Sequence, residues 1–403
     1  AGGVLGGAFV GEMTGHRNLV TVDMGGTSFD VAVIRDGRFE LKNTFEIEWG
    51  LPVKTPTIDI KTIGAGGGSI VWIDEGGALR VGPQSAGAEP GPACYGRGGT
   101  ECTVTDANLV LGLIKPDGLM PLDRSLAEKA VKKIADHFGV SIQEAAEGIY
   151  RVVNALMASA IRQMTVEKGV DPRSFALVPF GGAGGQHAAV LAREVGIPTI
   201  LLPNMPSVFS AFGMVSAPIK ISRSASIMKP LAELTVADRA AFFAALRAEV
   251  AATAPGIDAG PPRFECVLDL KYSKQEHEIS VVVEEDWSNE QITTAFEDRH
   301  FQLYGTRLGH AVSAVTGRLT AISELPRLSL GTDSAAVETD AVPTSQTALT
   351  GVDAPVAVFD RTTLLPGMRL AGPCLVEEVD TSFYVPEGMV GTVDAYRNLI
   401  IAT

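Results

Sequence analysis

The chain has 403 residues, 46% of them hydrophobic and 20% charged, and a formal net charge of −14. This composition excludes an intrinsically disordered chain, and the acidic balance without any Lys/Arg-rich run excludes a general nucleic-acid binder. The length predicts two or three domains, no apolar run approaches the ~20 residues of a membrane helix, and the four cysteines form neither a CxxC nor a disulfide framework, so a cytoplasmic protein is expected.

Residues 1–10 are apolar, lack a basic segment and are cut by four glycines, so they do not read as a signal peptide. The stretch Leu19-Val-Thr-Val-Asp-Met-Gly-Gly-Thr-Ser-Phe-Asp-Val-Ala-Val-Ile34 reads as a strand, a tight glycine turn and a second strand. Gly25 and Gly26 remove two Cβ atoms at the reversal and bare the backbone amides. Asp23 ends the first strand where it can hold a metal or a water, and Thr27 and Ser28 add hydroxyls. A carboxylate, bare amides and hydroxyls in one hairpin suit a phosphate carrying Mg²⁺; a plain glycine hairpin is the alternative. Strands continue to residue 48, with a turn at Arg35-Asp-Gly-Arg38.

Gly64-Ala-Gly-Gly-Gly68 follows the short strand at Ile58–Ile60, and Ile70–Ile73 and Leu79–Val81 form another hairpin. Pro90-Gly-Pro-Ala-Cys-Tyr-Gly-Arg-Gly-Gly99 presents Cys94, Tyr95 and Arg97 on a rigid frame, as ligand-facing loops do. A thiolate nucleophile at Cys94 is one reading, although no local group activates it. Thr103–Leu111 begins as a strand and becomes a helix capped by Thr105 or Asp106. A helix is expected over 125–138, ended by Gly139, and a longer one from Ser141, with Glu144 completing a capping box and apolar residues at helical spacing to Met164.

Strand 175–180, the cluster Gly181-Gly-Ala-Gly-Gly185, a helix over 186–195 and strand 199–202 make a nucleotide-site topology. No acidic residue follows at the dinucleotide spacing, so the glycines serve either a flat-lying base or ribose, or close helix–strand packing. His187 is either a site residue or a cap, and the six histidines show no metal-ligand spacing. Beyond residue 228 the character changes. A helix near 235–252 precedes a Pro/Gly boundary at 255–262; then come strands at 264–272, 278–283 and 312–322 and a helix at 289–303. Residues 329–355 read as a flexible linker or long loop, and 356–403 as a β-rich C-terminal segment.

In order, Asp23–Asp30, Thr62–Ser69, Val81–Gly96, Thr103-Val-Thr-Asp-Ala-Asn108 and Phe180-Gly-Gly-Ala-Gly-Gly-Gln-His-Ala188 resemble the hydantoinase A / oxoprolinase family, as do Lys271-Tyr272, Gln275–Glu278 and Gly372–Glu378. The resemblance implies an α/β fold: an actin-like (ribonuclease H-like) ATPase lobe over 1–228, followed by a β-rich α+β C-terminal domain over 229–328. It implies a subunit or fragment of an ATP-dependent amidohydrolase that opens a lactam or cyclic ureide through carbonyl phosphorylation. A ketone carboxylase subunit and a non-catalytic scaffold are the alternatives; a sugar kinase would leave the Gly-Pro-Ala-Cys-Tyr-Gly loop unexplained. ATP and Mg²⁺ are the implied cofactors. The family's N-terminal lobe, with its own phosphate hairpin, is not in this sequence. The implied partners are therefore a hydantoinase B-like subunit or a chain supplying that lobe, in an oligomer, with neither nucleic acid nor membrane. On this reading Asp23 holds the metal, and Asp23, Thr27 and Cys94 are catalytic candidates. Gly25, Gly26, Thr27 and Ser28 contact phosphates, and Gly181, Gly182, Gly184 and Gly185 contact adenosine. Gly66, Gly67, Gly68, Ser69, Tyr95, Arg97 and Asp106 face the substrate.

Overall fold

A computed structural model describes residues 1–42, 45–46, 52–53, 57–118, 120–253, 261–323 and 338–403. They form two compact units: residues 1–216 with 329–403, and residues 217–328. The Pro/Gly boundary near 255–262 lies mostly outside the described residues, as does part of the 329–355 segment, in which Ser345–Thr347 is a strand.

The first unit is organised by strand Leu19–Met24, in which every residue except Asp23 is buried. It runs antiparallel to Phe29–Arg35 on one side and parallel to Ala176–Phe180 on the other. Ile60–Ile63 pairs antiparallel with Phe29–Arg35, and Thr199–Leu202 pairs parallel with Ala176–Phe180. Three antiparallel strands followed by two parallel ones make the actin-like, ribonuclease H-like lobe. The sheet then continues through Leu399–Ala402, Val390–Val393 and Arg369–Ala371. Part of the expected C-terminal segment is thus built into the sheet of the first unit.

Alternation places Val20, Val22 and Met24 on one sheet face, in a core shared with Leu109, Ile149, Val153 and Ile161. Those last residues come from helices Val104–Leu111 and Ile142–Met164. The longer helix starts as its sequence dictates: the Ser141 hydroxyl accepts from the Glu144 amide, and the Glu144 carboxylate accepts from the Ser141 amide. The shorter one is capped earlier than expected, by Thr103, and Asp106 is the reciprocal partner. Leu19, Ile34, Val178 and Phe180 form the opposite core with Val4, Val10 and Phe209. Val4 and Val10 belong to helix Gly2–Thr14, which the glycine content had disguised. A Cβ on Gly3 would stand 2.1 Å from the Phe180 ring, so its glycine serves close approach to the sheet.

The second unit is an antiparallel sheet in the order Ile219–Pro230, Val312–Ser323, Arg263–Tyr272, Ile279–Val283. Phe243 from helix Val236–Thr253 and Phe296 from helix Asn289–Tyr304 pack with Leu268, Leu270 and Tyr272. Strand Ile219–Pro230 belongs to this unit, so the division falls near residue 216 and not at 228.

Candidate functional site

Between strands Leu19–Met24 and Phe29–Arg35 the chain turns through Gly25–Ser28, closed by Gly25 N–H donating to Ser28 O at 3.2 Å. Neither Gly25 nor Gly26 has a positive φ. A Cβ on either would meet no atom within 4 Å. Neither backbone conformation nor internal packing therefore calls for glycine here. Among the described residues, the amides of Gly26 and Thr27 donate to no protein acceptor.

The other glycine loops gather around this turn. Gly67 N–H donates to Gly25 O at 2.9 Å and Gly68 N–H to Gly26 O at 2.6 Å. A Cβ on Gly66 would stand 2.6 Å from Gly26 C and Thr27 N. Ser69 is buried; its hydroxyl accepts from Gly66 N–H at 2.8 Å and donates to Gly64 O at 3.3 Å. Gly66, Gly68 and Ser69 thus shape the loop, and Gly67 reaches the cleft, held by the Thr105 hydroxyl at 2.9 Å. Gly181 has φ +82°, and a Cβ there would press on Met24 O at 2.5 Å and Asp23 Oδ1 at 2.6 Å. Helix Gly184–Val195 then begins without a capping side chain. Ala183 N–H is tied to Met24 O at 3.0 Å, and among the described residues Gly182 N–H has no acceptor.

Gly25, Gly26, Gly67, Thr105, Gly182 and Gln186 line a cleft of about 300 Å³, together with Tyr95, Lys115 and the turn Glu377–Ser382. That turn is fastened to the second glycine loop: Thr381 Oγ1 donates to Gly182 O at 2.8 Å. A Cβ on Gly185 would stand 2.5 Å from Ser382 O. The result is a concave site with bare amides and an uncapped helix N-terminus, the chemistry that holds an anion.

The remaining sequence candidates lie elsewhere. Thr27 is exposed beside the cleft and Ser28 is half-buried. Asp23 does not line the cleft. With Asp30, Thr21 and Ala1 it lines a separate space of about 10 Å³. Ser210 Oγ donates to Asp23 Oδ2 at 3.2 Å. Burial, with a smaller part from Asp30, raises the Asp23 carboxyl above its usual range, against the Ser210 hydrogen bond. Asp30 stands opposite Asp23 in the strand register, and its buried Oδ1 has no partner among the described residues. Two carboxylates with an unsatisfied oxygen are a cation-binding donor set, but the space they line holds about one water and lies apart from the cleft, so it does not fit an Mg²⁺ that keeps several waters. No group of three His, Cys, Asp or Glu suited to a metal occurs among the described residues.

Cys94 and Asp106 are framework. Cys94 is fully buried, and burial followed by the Asp106 charge drives its thiol far above the usual range, which disfavours the thiolate. Asp106 accepts from the amides of Ala93, Cys94 and Thr103 and from the Thr103 hydroxyl, at 2.8–3.2 Å. It pins the Cys94 loop to the helix start and faces no open space. Arg97 stands over Tyr95 and donates toward Met120 Sδ, outside the cleft lining.

The residues behind Gln186 escaped the sequence reading. Asn108 Nδ2 lies 3.0 Å from Gln186 Oε1 and 3.0 Å from His187 Nε2, and Asn154 Oδ1 lies 3.3 Å from His187 Nδ1. His187 stacks on Tyr150 at 4.8 Å, and burial pushes its pKa down to about 3. A neutral imidazole accepting from Asn108 and donating to Asn154 satisfies this geometry. The network makes His187 a buried support for the glycine-loop helix. The Thr103–Asp106 spacing that caps the helix was a signal left unread, and nothing local marked Asn108, Asn154, Lys115 or Asp380.

A family model described as hydantoinase/oxoprolinase matches residues 1–223, which carry all of these glycine loops. The chain belongs to the hydantoinase/oxoprolinase family. Within it, the chain is 36% identical to the caprolactamase subunit alpha of Pseudomonas jessenii, over 96% of this chain and 58% of that one. The crystal structure of the ATP-dependent caprolactamase from Pseudomonas jessenii matches with a TM-score of 0.81 and 32% identity, covering 100% of this chain and 61% of that chain. A nucleotide-free acetone carboxylase structure, from work on ATP-dependent acetone carboxylation, matches with a TM-score of 0.82 and 26% identity, covering 99% and 60%. The chain therefore spans about three-fifths of the length of these relatives. Among the described residues no helix is long and apolar enough to cross a membrane.

Proposed function

We propose that the glycine cleft binds the phosphates of ATP, and that the chain is the nucleotide lobe of an enzyme opening a lactam or cyclic ureide. The observation that carries this reading is the empty space before Gly25 and Gly26, with free amides at Gly26, Thr27 and Gly182 around it. Glycines that the fold itself does not require leave room for something outside the fold. Gly26 and Thr27 hold phosphate oxygens through their amides, Gly25 leaves the room for them, and the N-terminus of helix Gly184–Val195 adds its dipole. Gly182 would lie next to the adenosine, whereas Gly184 is buried against Met24, and Tyr95 and Gly67 would close the substrate side. Asp23 and Asp30 do not line the cleft, so an Mg²⁺ accompanying the phosphates would have to be held by the nucleotide itself and by groups of the cleft, where it would neutralise phosphate charge.

Transfer of the terminal phosphoryl group to a carbonyl oxygen turns an unreactive amide into one that water can open. The lobe contributes positioning and fixed dipoles to this step. The caprolactamase likeness favours the hydrolase; the acetone carboxylase likeness supports a second reading, in which an enol phosphate is carboxylated. The first relative is named as an alpha subunit, which supports a partner chain, of hydantoinase B type or supplying a second phosphate hairpin.

Calorimetry with MgATP, for the chain alone and with such a partner, tests the reading. Heat of binding in either setting supports it, and none in both refutes it. Incubation of the assembly with a lactam or with a ketone and bicarbonate separates hydrolase from carboxylase by product.

A further inference from the structure

The cleft has amides on one wall and carboxylates on the other. Glu377 ends strand Cys374–Glu377, Glu378 and Asp380 lie on the turn that leads to Ser382–Val385, and all three line the cleft. Such a wall repels a phosphate unless a cation covers it. Among the described residues, Lys115 is the one cationic side chain in the lining. Its Nζ lies 3.1 Å from Glu377 Oε2. Asp360 stands beside Glu377 in parallel register and feels the same ammonium. Lys115 is more than a third exposed, and an ion pair in that setting is weak and readily exchanged.

We propose that Lys115 is a phosphate-binding residue of the cleft, kept in place by Glu377 and exchanging that carboxylate for a phosphate oxygen when a polyphosphate enters. This rests on reading the cleft as a phosphate site. A polyphosphate carries more charge than a carboxylate and offers more acceptor oxygens, so it outcompetes Glu377 for the ammonium. Glu377 opposes the ligand twice, by occupying Nζ and by repelling the anion. The ligand chemistry is a di- or triphosphate, free or on a nucleotide.

Titration of the full chain with inorganic tripolyphosphate and with MgATP tests this. Lys115→Met weakens both by about 10- to 100-fold, the value of one charge-assisted contact. Lys115→Arg keeps the charge and stays within about threefold of wild type. Glu377→Gln frees the ammonium and tightens both by about 3- to 10-fold. A lysine that merely ties its loop to the turn gives a different result, because Lys115→Met and Glu377→Gln then break the same ion pair and move affinity the same way. That outcome overturns the inference and leaves phosphate binding by the cleft standing. Wild-type protein that binds neither probe removes the phosphate reading and the inference together. Tighter MgATP than tripolyphosphate binding identifies a nucleotide as the source, and the reverse a free polyphosphate; both keep the role of Lys115.

Discussion

Two glycines on facing loops separate a ligand's space from a packing requirement. In Gly26→Ala the new methyl meets no atom within 4 Å, and the φ of Gly26 is not positive. Stability should stay level or rise by up to about 1 kcal/mol, because alanine narrows the unfolded ensemble. In Gly66→Ala the methyl lands 2.6 Å from Gly26 C and Thr27 N, both backbone atoms that cannot rotate away. The loops must separate, at about 1–3 kcal/mol for an overpacked site. Binding should follow the opposite logic. On the proposed phosphate reading the Gly26 methyl would stand where a phosphate oxygen approaches the amides, and losing one amide–phosphate hydrogen bond would cost about 1.5–3 kcal/mol, or roughly 10- to 150-fold in affinity. Urea unfolding and MgATP titration of both variants check this. If Gly26→Ala binds as tightly as wild type, or unfolds as early as Gly66→Ala, the open space at Gly26 is not a ligand's.

Asp106→Ala strands four donors, three of them backbone amides, and should lower stability by about 2–4 kcal/mol in urea melts, from the lost cap and the unsatisfied donors together. Native protein at pH 8 should not react with iodoacetamide at Cys94, whereas urea-unfolded protein should; peptide mass mapping reads the difference, and Cys94→Ala should retain MgATP affinity. His187 gives a signed pH dependence. Its folded pKa, about 3, lies below its usual 6.5, so the unfolded chain takes up the proton first. Its contribution is present above pH 6.5 and is lost as pH falls toward 3, at up to about 1.4 kcal/mol per pH unit. The stability difference between wild type and His187→Gln, measured by urea melts from pH 7.5 to 5, should shrink along that course; a constant difference would contradict a buried neutral imidazole.

Local signals carried well from sequence to structure. Ser141 and Glu144 form their capping box because its partners are three residues apart, and the Leu19–Ile34 hairpin follows from alternation around two glycines. Helix Gly2–Thr14 was hidden because its stability comes from glycines packed tightly on Phe180 and Ser210, not from propensity. Strand Ile219–Pro230 was missed because its exposed lysines and serines and its half-buried Arg223 mask the alternation. At the site, the glycine loops were legible, but only the folded loops distinguish Gly66 and Gly185, which serve packing, from Gly25 and Gly26, which face open space. Lys115 and Glu377 belong to distant stretches of chain and meet only through the fold.

Strand Leu399–Ala402 sits inside the large sheet, between Thr199–Leu202 and Val390–Val393. Residues 217–328, by contrast, hold all four strands of their own sheet in one continuous stretch. On the ribosome the second unit can close while the first still waits for its last strand. The half-made sheet of the first unit then presents Thr199–Leu202 as an unprotected edge throughout synthesis of the following two hundred residues. Deletion of Leu399–Ala402 should therefore expose that edge and lower solubility, although the strand is remote in sequence from the glycine loops.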